Sequence, residues 1–479
     1  MKTNLRTSVV LLVALVILAS CQNSETEKEE VDQITLVTNR SHGRRVTMAI
    51  NADPSEQPNI WIDKNLNGQC DEGEQVTHFV DFCDTYPEYK VYEKEGVPAF
   101  SPIIERSKIN NSSLVTFKPV SDTIVIYGKV QQLSVNGLNL VAMDLSKCKS
   151  IKALDCSLNN LKSLSLANNS SLRLLDISNN PITEIEFPER DSLEMLYASS
   201  TGFTNLKLNS TNSTLKYVHL VNSRQLKELD LSNQASLEKV NLQWCYALEK
   251  LDLSGCSSLE TLNCLATRAS QGLSLQGCAL KHLTLVSPKE TENCAEESSF
   301  ALDLTPLSSL QKATISLDGS NTKASLDVSG LKELRSLTVY ENSLVDLILK
   351  GNASLEALSV SGNNIKHINT QDSPKLSYIL ASDNEISEID LSPLANLEYL
   401  NLENNKIHSL DVSKNQKVNK ISLSGNMLDD DSIIRFIKTL PDRTGQEEGI
   451  LWLRYGDDGR SDVFVGLRDL KEQKNWSRR

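Results

Sequence analysis

The sequence predicts an α/β-type repeat solenoid, mostly β and curved, preceded by a small β-sandwich domain. Three observations carry this expectation. Apolar residues recur with a period of 21 or 22 residues over most of the chain, an asparagine follows many of these apolar groups at a fixed distance, and the residues before the repeat alternate on a shorter scale. A period of this length marks stacked units, none of which can bury its own apolar face alone.

The repeat is plainest in residues 397–417, LEYLNLENNKIHSLDVSKNQK. Leu397, Leu400 and Leu402 take the first, fourth and sixth places, Asn405 the ninth, and Ile407, Leu410 and Val412 follow. The same spacing starts at Val130, Ile151, Leu172, Leu193, Leu215, Leu237, Leu259, Leu280, Leu310, Leu334, Leu355, Leu376, Leu397 and Val418. Only the steps from Leu280 to Leu310 and from Leu310 to Leu334 are longer, at 30 and 24 residues.

Side chains alternate along a strand, so the fourth and sixth places point into the core and the third, fifth and seventh point out. The ninth-place amide can pair with backbone groups that would otherwise be buried and unsatisfied. Asn159, Asn180, Asn342, Asn363, Asn384, Asn405 and Asn426 hold that place, and Thr201, Ser223, Cys245, Thr267, Pro288 and Asp318 replace it in the middle. The second apolar group, such as Leu410 and Val412 around Asp411, predicts an extended convex side without long helices. The L-x-x-L-x-L-x-x-N-x-L string resembles the leucine-rich repeat family over residues 129–428. That resemblance implies a curved horseshoe whose concave strands bind partners.

Residues 1–20 open with Lys2 and Arg6 and continue into the apolar run Val9 to Ala19, the layout of a secretory signal. Leu18-Ala19-Ser20-Cys21 resembles the lipobox of bacterial lipoproteins, which implies cleavage before Cys21, a lipid on that cysteine and attachment to the outer membrane. Residues 21–32 are polar and acidic, the composition of a disordered tether, and resemble surface-export signals of Bacteroidetes lipoproteins. Removing residues 1–20, which carry two cations and no acid, takes the net charge from −13 to −15. Such a chain is a poor nucleic-acid binder, because phosphates need clustered Lys and Arg.

Residues 33–128 show short apolar runs separated by Asn, Asp, Pro, Gly and Ser, as strands joined by turns do. A β-sandwich is expected there, with Gly128 as the join and the domain capping the first coil. Its segment Asp63 to Glu74 fits the twelve-residue calcium loop, with Asp63, Asn65, Asn67, Asp71 and Glu74 supplying oxygens and Gln69 its carbonyl. The strand-like flanks read equally well as an ordinary Asn- and Gly-rich turn. Residues 429–479, with an acidic helix start at Asp429 to Asp431 and Pro441 after it, are expected to form the C-terminal cap.

Of the ten cysteines, Cys70 and Cys83 are the expected disulfide pair. Cys156 and Cys264 fall at inward places, Cys245 at the ninth, and Cys256 and Cys278 at matching places of adjacent repeats, either bonded or stacked. No C-x-x-C is present to support a zinc or redox site.

The outward places define a candidate surface. It includes Tyr197, Tyr217, His219, Lys239, Asn241, Gln243, Asn263, His282, Thr284, Lys312, Tyr340, Tyr378, Tyr399, Asn401 and Glu403. Five of the eleven tyrosines fall there, and Tyr378 and Tyr399, at the third places of adjacent repeats, are expected to stack. The acidic insertion Ser287 to Ser299 is a second candidate. His219 and His282 lie three repeats apart, too far to share a metal, and no nucleophile elbow, P-loop or HExxH string is present, so catalysis is not expected. The expected partner is a protein on a host or neighbouring cell, as the likeness to internalin-type architecture implies. Glycan capture and a structural envelope scaffold are the alternatives.

Overall fold

The computed structural model describes residues 31–39, 44–83, 91–94, 97–100, 111–190, 192–208, 214–268, 273, 275–287, 303–316, 324–340, 343–453 and 470–479. The signal segment, Cys21 and all but the first residue of the Ser287 to Ser299 insertion lie outside these residues.

The N-terminal unit contains β1 (Gln33–Thr38), β2 (Val46–Asn51), β3 (Trp61–Asp63), the hairpin strands β4 (Val91–Lys94) and β5 (Val97–Phe100), β6 (Val115–Phe117) and β7 (Thr123–Tyr127). Where a β-sandwich capping the first coil is expected, the strands belong to sheets shared with the repeats. Strands β3, β7 and β1 form an antiparallel sheet that continues into β9 (Leu140–Asp144) of the first coil, while β2 pairs with β6 through Val46–Met48 and with β8 (Gln132–Ser134) through Ala49–Asn51. Both sheets of the unit therefore run on into the solenoid. One apolar core extends without a break from Ile34 to Trp476. Gly128, the expected join, has φ +102°, and a Cβ there would sit 2.6 Å from the Asn59 carbonyl oxygen.

From β8 onward the concave sheet is parallel and in strict register, third place to third and fifth to fifth. Ala153, Leu154 and Asp155 pair with Leu174, Leu175 and Asp176, and the same holds for Tyr378, Ile379 and Leu380 with Tyr399, Leu400 and Asn401. Among the described residues β6 and Trp476–Arg478 each pair with a single strand, which leaves the sheet open there. Fourth- and sixth-place residues such as Leu400 and Leu402 are fully buried, each contributing about 1.5–3 kcal/mol of apolar burial. Among the described residues the convex side carries short strands such as Asn205–Lys207, Glu228–Asp230 and Lys250–Asp252, as the second apolar group predicts.

Two amide ladders fasten the turns. At the ninth place, Asn405 Nδ2 donates to the carbonyls of Ala381 (2.8 Å) and Leu402 (3.1 Å), and its Oδ1 accepts from the Ile386 amide (3.0 Å). Among the described replacements the donor survives: Thr201 reaches the Ala198 carbonyl at 2.9 Å, Cys245 the Leu220 carbonyl at 3.0 Å and Thr267 the Cys264 carbonyl at 3.1 Å, while Pro288 and Asp318 lie outside the described residues. The second ladder stands three residues before several of the coils and escaped the sequence reading. There Asn415 Nδ2 donates to the carbonyls of Leu391 and Leu394, both at 2.8 Å, and Asn169 and Asn352 do the same in their coils. Cys256 occupies this place too, its Sγ 3.2 Å from the Leu231 carbonyl, so it acts as a donor and not as half of a disulfide with Cys278. Cys70 and Cys83 are likewise separate thiols, contrary to the expected pairing.

After the last of these coils, Asp429 caps helix α1 (Asp430–Thr439) by accepting from the Ser432 amide at 2.8 Å. The helix buries Ile433 and Phe436 against the core. Strands Gly449–Trp452 and Trp476–Arg478 then extend the concave sheet, with Trp476 buried and its indole N–H on the Pro441 carbonyl.

Candidate binding face

The concave face divides into three parts. At its N-terminal end the outward residues are covered by the chain itself. Phe82 lies among Ala49, Ala153, Leu174, Tyr197 and Tyr217, with Val80, Cys83, Leu114 and Met195 around them, and its backbone N–H reaches Gln132 Oε1. Tyr197 and Tyr217 are consequently only 3% and 8% exposed. His219 stands beside Tyr197, ring centroids 5.9 Å apart, and burial pushes its imidazole down to about 3. These three residues, expected on an open surface, are interior residues on the concave side.

The centre is floored by the buried polar residues Asn241, Asn263, Thr284 and Thr314, with Gln243 buried beside them and Lys239, His282 and Lys312 half-buried at the third places. Toward the C-terminal end the face opens. Tyr340 is half-buried, and Tyr378 is 47% exposed. Its ring centroid lies 6.3 Å from that of Tyr399 at 68° between planes, so the pair meets edge to face and not stacked. Asn401 Oδ1 accepts the Glu403 amide at 3.0 Å, and Ser422 Oγ is 3.5 Å from Glu403 Oε2. Tyr378, Tyr399, Asn401 and Glu403 thus gather on one open patch, and the structure does not join Tyr197, Tyr217 and His219 to it.

One exposed group lies at the C-terminal edge of the strands. Trp244 takes the eighth place with φ +61°, in the left-handed region that Asn179, Asn222, Asn404 and Gly425 fill in other coils. Trp244 and Tyr246 are both exposed, and the Arg224 guanidinium lies 5.6 Å from the Tyr246 ring centroid. The signal legible in the sequence is a bulky residue at a place that favours Asn or Gly.

In the loop Asp63 to Glu74, the buried Asp63 accepts from the amides of Asn67 and Gly68, and the buried Glu74 from those of Lys64 and Asp71. The Asn65 and Asn67 side-chain nitrogens both face Asp71 Oδ2, at 2.6 and 2.7 Å. A calcium ion here would need those amides turned, so that oxygen faces inward, and Glu74 released from its backbone donors. The Gln69 amide donates to Asn67 Oδ1, which closes the turn at its centre. Among the described residues no three His, Cys, Asp or Glu converge as a metal site.

The family model described as Leucine Rich Repeat matches residues 171–189. No curated protein matches. Among solved structures, the functional domain of InlJ from Listeria monocytogenes is similar at 22% identity, covering 64% of this chain and 77% of that one, with a TM-score of 0.37. A leucine-rich repeat protein of Leptospira interrogans is 16% identical over 67% of this chain and 95% of that one, TM-score 0.33. Toll in its complex with Spatzle from Drosophila is 14% identical over 64% of this chain and 47% of that one, TM-score 0.42. The matched segment contains one full strand of the concave sheet, Leu174–Asp176, and its ladder residue Asn180, and the same geometry recurs from coil to coil. The chain carries leucine-rich repeats.

Proposed function

We infer that the chain is a lipid-anchored protein of the outer membrane surface that binds a protein on a host or neighbouring cell through the C-terminal part of its concave face. The observation that carries the reading is the exposed Tyr378, set edge to face on Tyr399 beside Asn401 and Glu403. Exposed tyrosines on a rigid sheet offer contact area with little side-chain freedom to lose. The anchor rests on the Leu18 to Cys21 string. The role is binding and not catalysis, because a stacked array of repeats supplies an extended surface.

The test uses intact cells expressing the full chain. Binding of a surface-protein fraction from candidate partner cells is compared with that by the Tyr378→Ala, Tyr399→Ala double variant, and membrane retention with that of Cys21→Ser. The double variant should stay on the cell and lose roughly tenfold or more in affinity. Cys21→Ser should release the protein to the soluble fraction. Undiminished binding by the tyrosine variant would sink the site. A glycan reading is favoured at one place only, the exposed Trp244 and Tyr246 edge, and a glycan array on the same proteins tests it.

Calcium binding by the loop of Asp63, Asn65, Asn67, Gln69, Asp71 and Glu74 is a separate proposal, supported by the motif and by two buried carboxylates within one turn.

A further inference from the structure

We propose that the centre of the concave face, from strand Lys239–Asn241 to strand Lys312–Ser316, is a docking strip for an acidic peptide segment of the partner. This rests on the reading above for the partner being a protein, but it concerns different residues.

Asn241 and Asn263 are neighbours in register on adjacent strands, 2% and 0% exposed. Each spends its Oδ1 on the backbone N–H two residues on, Gln243 at 3.2 Å and Leu265 at 3.1 Å. That bond fixes which way each amide points and leaves both Nδ2 groups as donors. Neither Nδ2 has an acceptor, nor does the Thr314 hydroxyl further along the same row have a partner. Buried donors without acceptors are costly and few in folded proteins. Two of them in register on adjacent strands call for an acceptor that a ligand would bring.

Capping the strand end does not require asparagine. Asp155 and Asp176 hold the same fifth place in the early coils and cap Ser157 and Ser178 at 3.1 and 2.9 Å through the same oxygen. What Asn241 and Asn263 add is a buried N–H without an acceptor. The surrounding charge agrees with this. Lys239, His282 and Lys312 occupy third places here, and no third, fifth or seventh place of these four strands carries an acid, in a chain whose net charge is −13. A row of donors flanked by Lys239 and Lys312 suits a ligand that brings acceptors and negative charge. Both Nδ2 groups are closed to solvent in this structure, so the ligand reaches them only when the surface above opens.

The experiment measures fluorescence anisotropy of a labelled oligoglutamate peptide with the full chain, with oligolysine, a heparin fragment and single-stranded oligouridylate as comparison probes. The wild type should bind oligoglutamate in a salt-dependent manner and ignore oligolysine. Asn241→Asp and Asn263→Asp keep the strand cap but replace the donor with an acceptor, and each should weaken binding about tenfold or more. Melting curves verify that these variants fold. Lys312→Gln, which leaves the floor intact, should weaken binding several-fold and serves if the aspartates disturb folding. Tyr378→Ala should leave oligoglutamate binding unchanged, so failure of the tyrosine patch and failure of the strip are told apart. No binding by the wild type, equal binding by folded variants, or a preference for heparin or RNA would each overturn the assignment, the first leaving a strip that holds only ordered water.

Discussion

At the scale of single residues, burial decides chemistry more than identity does. His219 sits on the concave side yet is almost wholly buried, and desolvation holds its imidazole down to about 3, against an ordinary value near 6.5. The sign follows from proton binding. As the pH falls below about 6.5 the unfolded chain takes up a proton that the folded chain refuses until about pH 3, so native stability declines across that window by up to about 1.4 kcal/mol per pH unit. Above that window the contribution is constant. Replacing His219 with Phe keeps a ring beside Tyr197 and removes the titration. Urea melts at neutral and mildly acidic pH should show a smaller acid-induced loss of stability for His219→Phe than for the wild type. Equal losses would mean that other groups carry the acid sensitivity. The sequence placed His219, Tyr197 and Tyr217 on the concave side correctly, because strand alternation is local. It could not show the burial of the two tyrosines, because the Phe82 packed with them arrives from the N-terminal unit, far away along the chain.

At the scale of elements, the first ladder was legible because Asn405 and its counterparts share one residue type at one spacing. The second was not, because its place is shared among Asn169, Cys256, Asn352 and Asn415 and has no single letter to reveal it. What those residues have in common is a donor of the right length to reach a carbonyl of the preceding coil, a property of geometry and not of composition. The loop Asp63 to Glu74 shows the opposite case, where a complete motif does not by itself decide the chemistry. Its carboxylates accept backbone N–H groups of the loop, and Asn65 and Asn67 turn nitrogen toward Asp71. If the calcium proposal holds, the ion stabilises the folded chain by mass action, so the melting temperature rises with calcium concentration and falls again on chelation. Glu74→Gln should abolish that response. Superimposable melting curves with calcium and with chelator would identify the loop as a turn closed by its own hydrogen bonds.

At the scale of the whole molecule, the N-terminal unit and the repeats share sheets and an apolar core. The short alternating runs of residues 33–128 predicted strands, and strands are there, but alternation says nothing about which sheet a strand joins. Here β2 extends the concave sheet through β8, β1 extends the other through β9, and Phe82 closes over the early coils. A sandwich that merely preceded the solenoid could be removed without harm. A unit that shares both sheets cannot, because its loss exposes Val130, Leu133 and Leu140 of the first coil, all fully buried in the intact chain, and leaves the edge of β8 unpaired. Residues 129–479 expressed alone should therefore unfold at a lower temperature than residues 31–479, bind an apolar dye in native buffer, and aggregate on concentration. The same truncation uncovers Tyr197 and Tyr217, whose fluorescence should become accessible to a soluble quencher. A truncated chain that melts cooperatively at the temperature of the longer one, with no dye binding, would show that the first coil stands without its neighbour and that the shared sheets add nothing to the fold.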